Sequence, residues 1–299
     1  MQSLGTTSFY ARASATIGGV RARAEDLQGS IATGQRLTRS SDDPLAASRL
    51  RRLAQSETLS TVGNANAAHA SANLSLADDA LASIADGLAR TRELALQAAS
   101  GTLNDSQRAA IGSELGQLHA NLFTLANARD SAGHALFGGE TSGAAYGLDA
   151  AGNATYLGTA SSGKIDLGDG ATVTRGLTGP EFLGLGGGTL DLIAGLANAL
   201  RTGSPDPRTA AQAALTGLQA ATSSIGTAQA VVGGRLAAID LTVERAARTG
   251  ELRAAEQSRL GDTDLATTIA ELQQTMLVLE ASQASFARLA SLSLFDALR

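Results

Sequence analysis

The C-terminal stretch Asp262–Leu298 constrains the fold more than any other part of the chain. Apolar or small residues recur there at Leu265, Ile269, Leu272, Met276, Leu279, Gln283, Phe286, Ala290 and Ser293, in alternating steps of four and three. That is the a/d spacing of a heptad seam, with Gln283 its polar interruption. Neither Pro nor Gly follows Asp262, so nothing breaks a helix before Arg299. Asp262, Thr263 and Asp264 supply side-chain caps and negative charge at the helix start. The seam closes on Phe286, Leu294 and Phe295, and it needs a partner.

A second seam supplies one. Within residues 8–38, Ile17, Val20, Ala24, Leu27 and Ile31 repeat in heptads and end at Gly34. A helix of about 31 residues is ~46 Å long, so the two terminal helices can pair along their full length. The stretch Ser40-Ser41-Asp42-Asp43-Pro44 then reads as a helix start, with Asp43 as N-cap and Pro44 as first helical residue. Capping is the reading for Asp42 and Asp43, ahead of a catalytic carboxylate pair. Residues 45–132 predict a helical hairpin with an apolar seam at Leu74, Ala77, Leu81, Ile84, Leu88, Thr91, Ala95 and Ala98, broken at Gly101–Asn104 and restarting at Asp105 or Ser106.

The character changes at Phe137-Gly138-Gly139. From there to Gly188 the chain is rich in Gly, Ser and Thr, with strands expected at 154–157, 164–167 and 171–174 and a hairpin turn at Asp169-Gly170. Helices follow at 189–202 and from 208 to about 248, with interruptions expected at Thr249-Gly250 and Gly261. Pro44, Pro180, Pro205 and Pro207 all fall at joints. The fold class is therefore mainly α. A long antiparallel helical bundle or coiled coil of N- and C-terminal segments carries a small β-containing insert. The expected division is an N-terminal helical part (1–137), a detachable Gly/Ser/Thr-rich β insert (138–188) and a C-terminal helical part (189–299).

Composition excludes several function classes. Aromatics make up only 3% of a chain that is 43% hydrophobic, which suits close helix packing better than a pocket lined by rings. A net charge of −5 disfavours nucleic acid, and the arginines clustered toward the N-terminus are spread over helical faces. There is no Cys for disulfides, thiolate chemistry or metal sites. No apolar run is long enough to span a membrane, and no secretory signal peptide is expected. His69, His119 and His134 are far apart, without acids at ligand spacing, so no metal site is expected. Gly184–Gly188 lacks the Gly-Lys-Ser/Thr ending of a phosphate-binding loop and reads as a linker. A hydrolase built on Ser41, Asp42 or Asp43 lacks a positioned base, so no enzyme, cofactor or small-molecule substrate is expected.

Ile31–Leu37 followed by Ser40–Pro44, with Asp262–Leu265 and Ser293–Leu298 at the other end, resembles the terminal signatures of the flagellin superfamily. Pro44 stands where filament flagellins usually have Ala. Together with Leu136–Thr141 and Asp149–Gly158, it makes the chain more similar to the hook–filament junction proteins. The resemblance implies a structural protein of the extracellular flagellar axis, in a homo-oligomeric ring between the first junction protein and flagellin. It implies export through the flagellar type III apparatus without a cleaved signal, and a cytoplasmic export chaperone at the C-terminal helix. A minor filament flagellin is the alternative. The residues expected to carry assembly are Ile17, Val20, Leu27, Ile31, Asp42, Asp43, Pro44, Leu265, Ile269, Leu272, Met276, Leu279, Phe286, Leu294 and Phe295.

Overall fold

The computed structural model describes residues 3–184, 188–203 and 206–297, with side chains of 3–7, 9 and 289–297 left out. The chain runs α1 (Ser3–Thr33), α2 (Pro44–Ala99), α3 (Asp105–Ala126), β1 (Tyr146–Leu148), β2 (Ala154–Tyr156), β3 (Lys164–Gly168), β4 (Ala171–Thr174), α4 (Pro180–Leu183), α5 (Gly188–Thr202), α6 (Pro207–Gly261) and α7 (Leu265–Ala297). It is mainly α. α2 alone has 56 residues, a rod of ~84 Å at 1.5 Å per residue.

Helices α2, α3, α6 and α7 each start where a short polar side chain takes a free backbone N–H. Asn104 and Gln107 form a reciprocal capping box at α3. Asp206 accepts the Thr209 amide at 2.9 Å ahead of Pro207, the first residue of α6. Thr249-Gly250 does not break α6, which continues to Gly261. An interior glycine costs a helix only ~1 kcal/mol, and the Glu256 carboxylate further along α6 is held at 2.6 and 2.8 Å by the Arg49 guanidinium.

The chain forms two compact units, residues 1–58 with 249–299, and residues 59–248. In the 59–248 unit, α3 packs along α5, and one apolar cluster fills the interior. Its helical members include Leu74, Leu81, Ile84, Leu88, Leu115, Leu122, Ile193, Leu218, Ile225 and Val232.

The β insert belongs to that cluster. β1 pairs antiparallel with β2, and β3 with β4. Strand β1 is an addition to the strands expected from the sequence, and it pairs over only three residues. Asp169 and Gly170, with φ of 51° and 78°, make the turn between β3 and β4, the left-handed pair that a two-residue hairpin demands. Phe137, Tyr146, Leu167, Val173, Leu177, Phe182 and Leu183 are all buried in the same core as the helices. Phe137 and Phe182 meet edge to face at 4.7 Å. The hairpin also seats on α2. A Cβ at Gly63 would collide with the Leu167 carbonyl oxygen, and Asn66 donates to the Asp166 carbonyl at 2.8 Å. The shift in composition at Gly138 therefore marks a change of secondary structure and not the edge of a separate core.

In the other unit, which also holds the start of α2 and the end of α6, α1 packs along α7. Its buried apolar side chains among the described residues are Ala24, Ala46 and Leu53.

Candidate assembly site

The sequence-predicted residues gather in two places of the 1–58/249–299 unit: the joints between helices, and the α1/α7 seam. At the first joint α1 ends on Gly34, whose φ of +70° is left-handed and whose amide bonds back to Ser30 at 2.9 Å. Glycine adopts that conformation without a Cβ penalty, which is how helices commonly stop. The chain then runs extended against the second joint. Gln35 bridges Asp262 antiparallel. The Arg36 amide donates to the Gly261 carbonyl at 2.8 Å, and the Thr263 amide donates to the Gly34 carbonyl at 2.9 Å. The Arg36 guanidinium reaches the Leu260 carbonyl at 2.9 Å and lies 3.6 Å from Asp43.

The two adjacent acids have different tasks. Asp43 accepts the Ala46 amide at 3.0 Å and is the N-cap of α2, with Pro44 as its first residue. Asp42 faces backwards and accepts the Arg39 amide at 2.8 Å and the Thr38 hydroxyl at 3.2 Å. The bond from the Arg39 amide is the main reason its carboxyl titrates below the ordinary 3.8. At α7, Asp264 holds the Thr267 hydroxyl at 2.7 Å and the Ala266 amide at 3.1 Å. Its carboxyl is likewise lowered, first by the Thr267 hydroxyl. Asp42, Asp43 and Asp264 thus hold turns and helix starts.

The seam is antiparallel. Tyr10 near the start of α1 meets Phe286 near the end of α7, with ring centroids 5.5 Å apart. Arg23 pairs with Glu271 at 3.5 Å midway. On α1, Ala24 is buried, and Ile17, Val20, Leu27 and Ile31 are half-buried. On α7, Leu272, Leu279 and Phe286 are half-buried, interleaved with Thr268, Thr275 and Ser282. Leu265, Ile269 and Met276 depart from the expected seam, being 49%, 43% and 47% exposed. The seam that α7 presents to α1 uses Thr268 and Thr275 where the sequence pattern places Ile269 and Met276. The apolar face of α7, widened further by exposed Leu277 and Val278, is broader than one partner helix covers. Leu294 and Phe295 fall outside the residues whose side chains are described.

The expected seams and caps do not anticipate that Gly34–Arg36 lies against Leu260–Thr263. A trace of it is present, since each terminal seam abuts a glycine, Gly34 or Gly261, followed by two polar residues. The histidines lie elsewhere. His69 is exposed on α2, while burial lowers the pKa of half-buried His119 on α3. His134 corrects the expectation of no acid at ligand spacing, since Asp130, four residues earlier, lies 3.6 Å from it across a turn. Among the described residues no three His, Asp or Glu converge as metal ligands, and no helix is long and apolar enough to cross a membrane.

Residues 5–142 match the bacterial flagellin N-terminal helical region. The chain is thus similar to flagellins over just under half of its length. It is 26% identical over 287 residues to the flagellar hook-associated protein 3 of Escherichia coli, which covers 89% of this chain and 90% of that one. To the flagellar hook-associated protein 3 of Salmonella typhimurium it is 30% identical over 152 residues, 51% of this chain and 47% of the other. This flagellin-like chain also shares its fold with the solved flagellar hook-associated protein 3 from Legionella pneumophila. That structure has a TM-score of 0.64 at 15% identity, over 70% of this chain and 98% of that one. The joint at Gly34–Pro44 lies within the residues that match the flagellin N-terminal helical region.

Proposed function

We propose that the chain is a structural subunit of the bacterial flagellum, placed at the hook–filament junction, where copies form the ring on which the flagellin filament is built. The observation that carries this reading is the exposed stripe Leu265, Ile269 and Met276 on a terminal helix whose other side already packs on α1. A stripe of large apolar residues left in water beside a formed seam fits an element that is completed by neighbours. The similarity to flagellar hook-associated proteins 3 along most of the chain supports a flagellar structural role.

On this reading the partners are further copies of the chain, the first hook-associated junction protein on one side and flagellin on the other. A cytoplasmic export chaperone covers the C-terminal helix before export, which proceeds without a cleaved signal. The assembly residues are the seam positions Ile17, Val20, Leu27, Ile31, Leu272, Leu279 and Phe286, the stripe Leu265, Ile269 and Met276, and the joint residues Asp42, Asp43 and Pro44. Nucleic acid, membrane and small-molecule substrates have no part in it.

The test is localisation with a tagged chain in a motile cell. A single band at the distal end of the hook, and loss of filaments with flagellin released to the medium when the chain is removed, is the expected result. Label along the filament instead identifies the chain as a minor flagellin.

A further inference from the structure

We propose that the clasp between Gly34–Arg36 and Leu260–Thr263 is a register-setting device, which holds α1 and α7 in one antiparallel alignment and keeps their pairing within one chain. The proposal does not rest on the flagellar reading.

The seams by themselves do not define an alignment. A heptad pattern matches itself again after one repeat, so a slip of one heptad replaces each apolar contact with a similar one. The apolar face of α7 adds a second ambiguity, because Leu272 and Leu279 belong both to the buried row with Thr268 and Thr275 and to the exposed row with Ile269 and Met276. Something more specific than apolar periodicity must choose.

The clasp is specific in that sense. Its bonds join named backbone groups: the Arg36 amide to the Gly261 carbonyl, the Thr263 amide to the Gly34 carbonyl, and the Arg36 guanidinium to the Leu260 carbonyl. A slip of one heptad would bring helical backbone to these positions, where amides and carbonyls are already paired. The alignment persists along the seam. The stretch from Tyr10 to Gln35 is nearly equal in length to the stretch from Asp262 to Phe286, and the two rings meet at the far end. A one-heptad slip would separate them by ~10 Å, at 1.5 Å per residue.

The clasp also decides which copy pairs with which. Gln35 and Asp262 lie near opposite ends of the sequence and are bridged in the fold. Once they are bridged, α1 and α7 leave the same point, and each finds the other at the high effective concentration of a short tether. Without the clasp, α7 can pair with α1 of another copy.

The native chain has no Cys, so paired cysteines with a short bis-maleimide report alignment directly. Arg23→Cys with Gln274→Cys marks the observed register, since both side chains line one groove, and Arg23→Cys with Ala281→Cys marks a slip of one heptad. With the clasp intact, the first pair should cross-link within the chain at least tenfold more than the second, with few cross-linked dimers. Arg36→Ala removes the guanidinium bonds. Gly34→Val strains the left-handed turn, and it serves as a second variant where the Arg36 backbone bond alone sustains the clasp. In these variants the native in-chain cross-link should fall at least tenfold, whether product moves to the slipped pair, to dimers or to neither. Unchanged thermal melting of the 59–248 unit shows that the loss is local. Retention of the native cross-link in both variants, or equal cross-linking of the two pairs with the clasp intact, overturns the proposal, as does a loss accompanied by melting of the 59–248 unit.

Discussion

The two compact units solve the same problem, stabilising long helices poor in aromatics, in opposite ways. In the 59–248 unit, Leu74, Leu81, Leu88, Leu115 and Leu190 are fully buried, and the β insert adds Phe137, Tyr146 and Phe182 to the same core. In the other unit the α1/α7 seam is one side chain deep. Its Leu272, Leu279 and Phe286 are only half-buried, and Leu265, Ile269 and Met276 are exposed. Most helical stability in proteins comes from packing an apolar face. One unit therefore carries its stability within itself, and the other, on the function proposed above, leaves a large part of it to be supplied by partners.

The largest effect should come from removing the insert. Replacing residues 142–186 with a short Gly/Ser linker strips Tyr146, Leu167, Val173, Leu177 and Phe182 from the core. Large buried side chains contribute ~1.5–3 kcal/mol each, so the shortened chain should lose the cooperative melting of the 59–248 unit. A chain that melts as before would show that the insert is a separate module after all.

Next in size is a paired truncation across the units. Leu81→Ala should cost ~2–5 kcal/mol at a fully buried site, read as a lowered midpoint in denaturant. Leu272→Ala should cost well under half of that, because its side chain is half in water already. Equal costs would remove the distinction between the units.

Asp43→Ala tests the joint. Loss of an N-cap costs ~1 kcal/mol, so amides of residues 44–50 should exchange several-fold faster, while those of residues 74–98 keep their rates. Unchanged exchange at 44–50 would deny Asp43 its role.

Acid should act on the joints with a smaller effect. Asp42 and Asp264 titrate below 3.8 and Glu256 below 4.5, held down by the Arg39 amide, the Thr267 hydroxyl and the Arg49 guanidinium respectively. Groups with depressed folded values stabilise above their ordinary pKa and lose that contribution as pH falls through the lowered value. The joints should hold at pH 5 and loosen below about pH 4. Asp130, Asp149 and Asp206 are depressed as well, but those turns lie in the unit with the buried core. Exchange followed from pH 5 to pH 2.5 should therefore open residues 34–46 and 260–268 before residues 115–126. The reverse order would contradict this.

Much of this contrast is legible in the sequence, because it depends on periodicity and on caps. The spacing of Leu74, Leu81 and Leu88 foretells a buried stripe, and the Asp43-Pro44 and Asp169-Gly170 pairs foretell a helix start and a hairpin. Periodicity gives the width of an apolar face but not how much of it one partner covers, so Met276 and Ile269 are expected in a seam that takes Thr275 and Thr268 instead. Composition likewise marks where strands begin without saying what they pack on. Burial of Phe137 and Leu167 against helices depends on contacts distant in the chain, such as Gly63 against the Leu167 carbonyl. The clasp is hidden for the same reason, since it joins backbone groups from opposite ends of the sequence.

Hydrogen exchange on the free, unassembled chain tests the contrast most directly. Amides of residues 74–98, 115–126 and 211–239 should exchange slowly and together, at rates set by unfolding of the whole 59–248 unit. Those of residues 265–288 should exchange orders of magnitude faster, through local opening of the α1/α7 pair. Uniformly slow exchange across both regions would show that the α1/α7 pair is stable without partners, and would contradict the account.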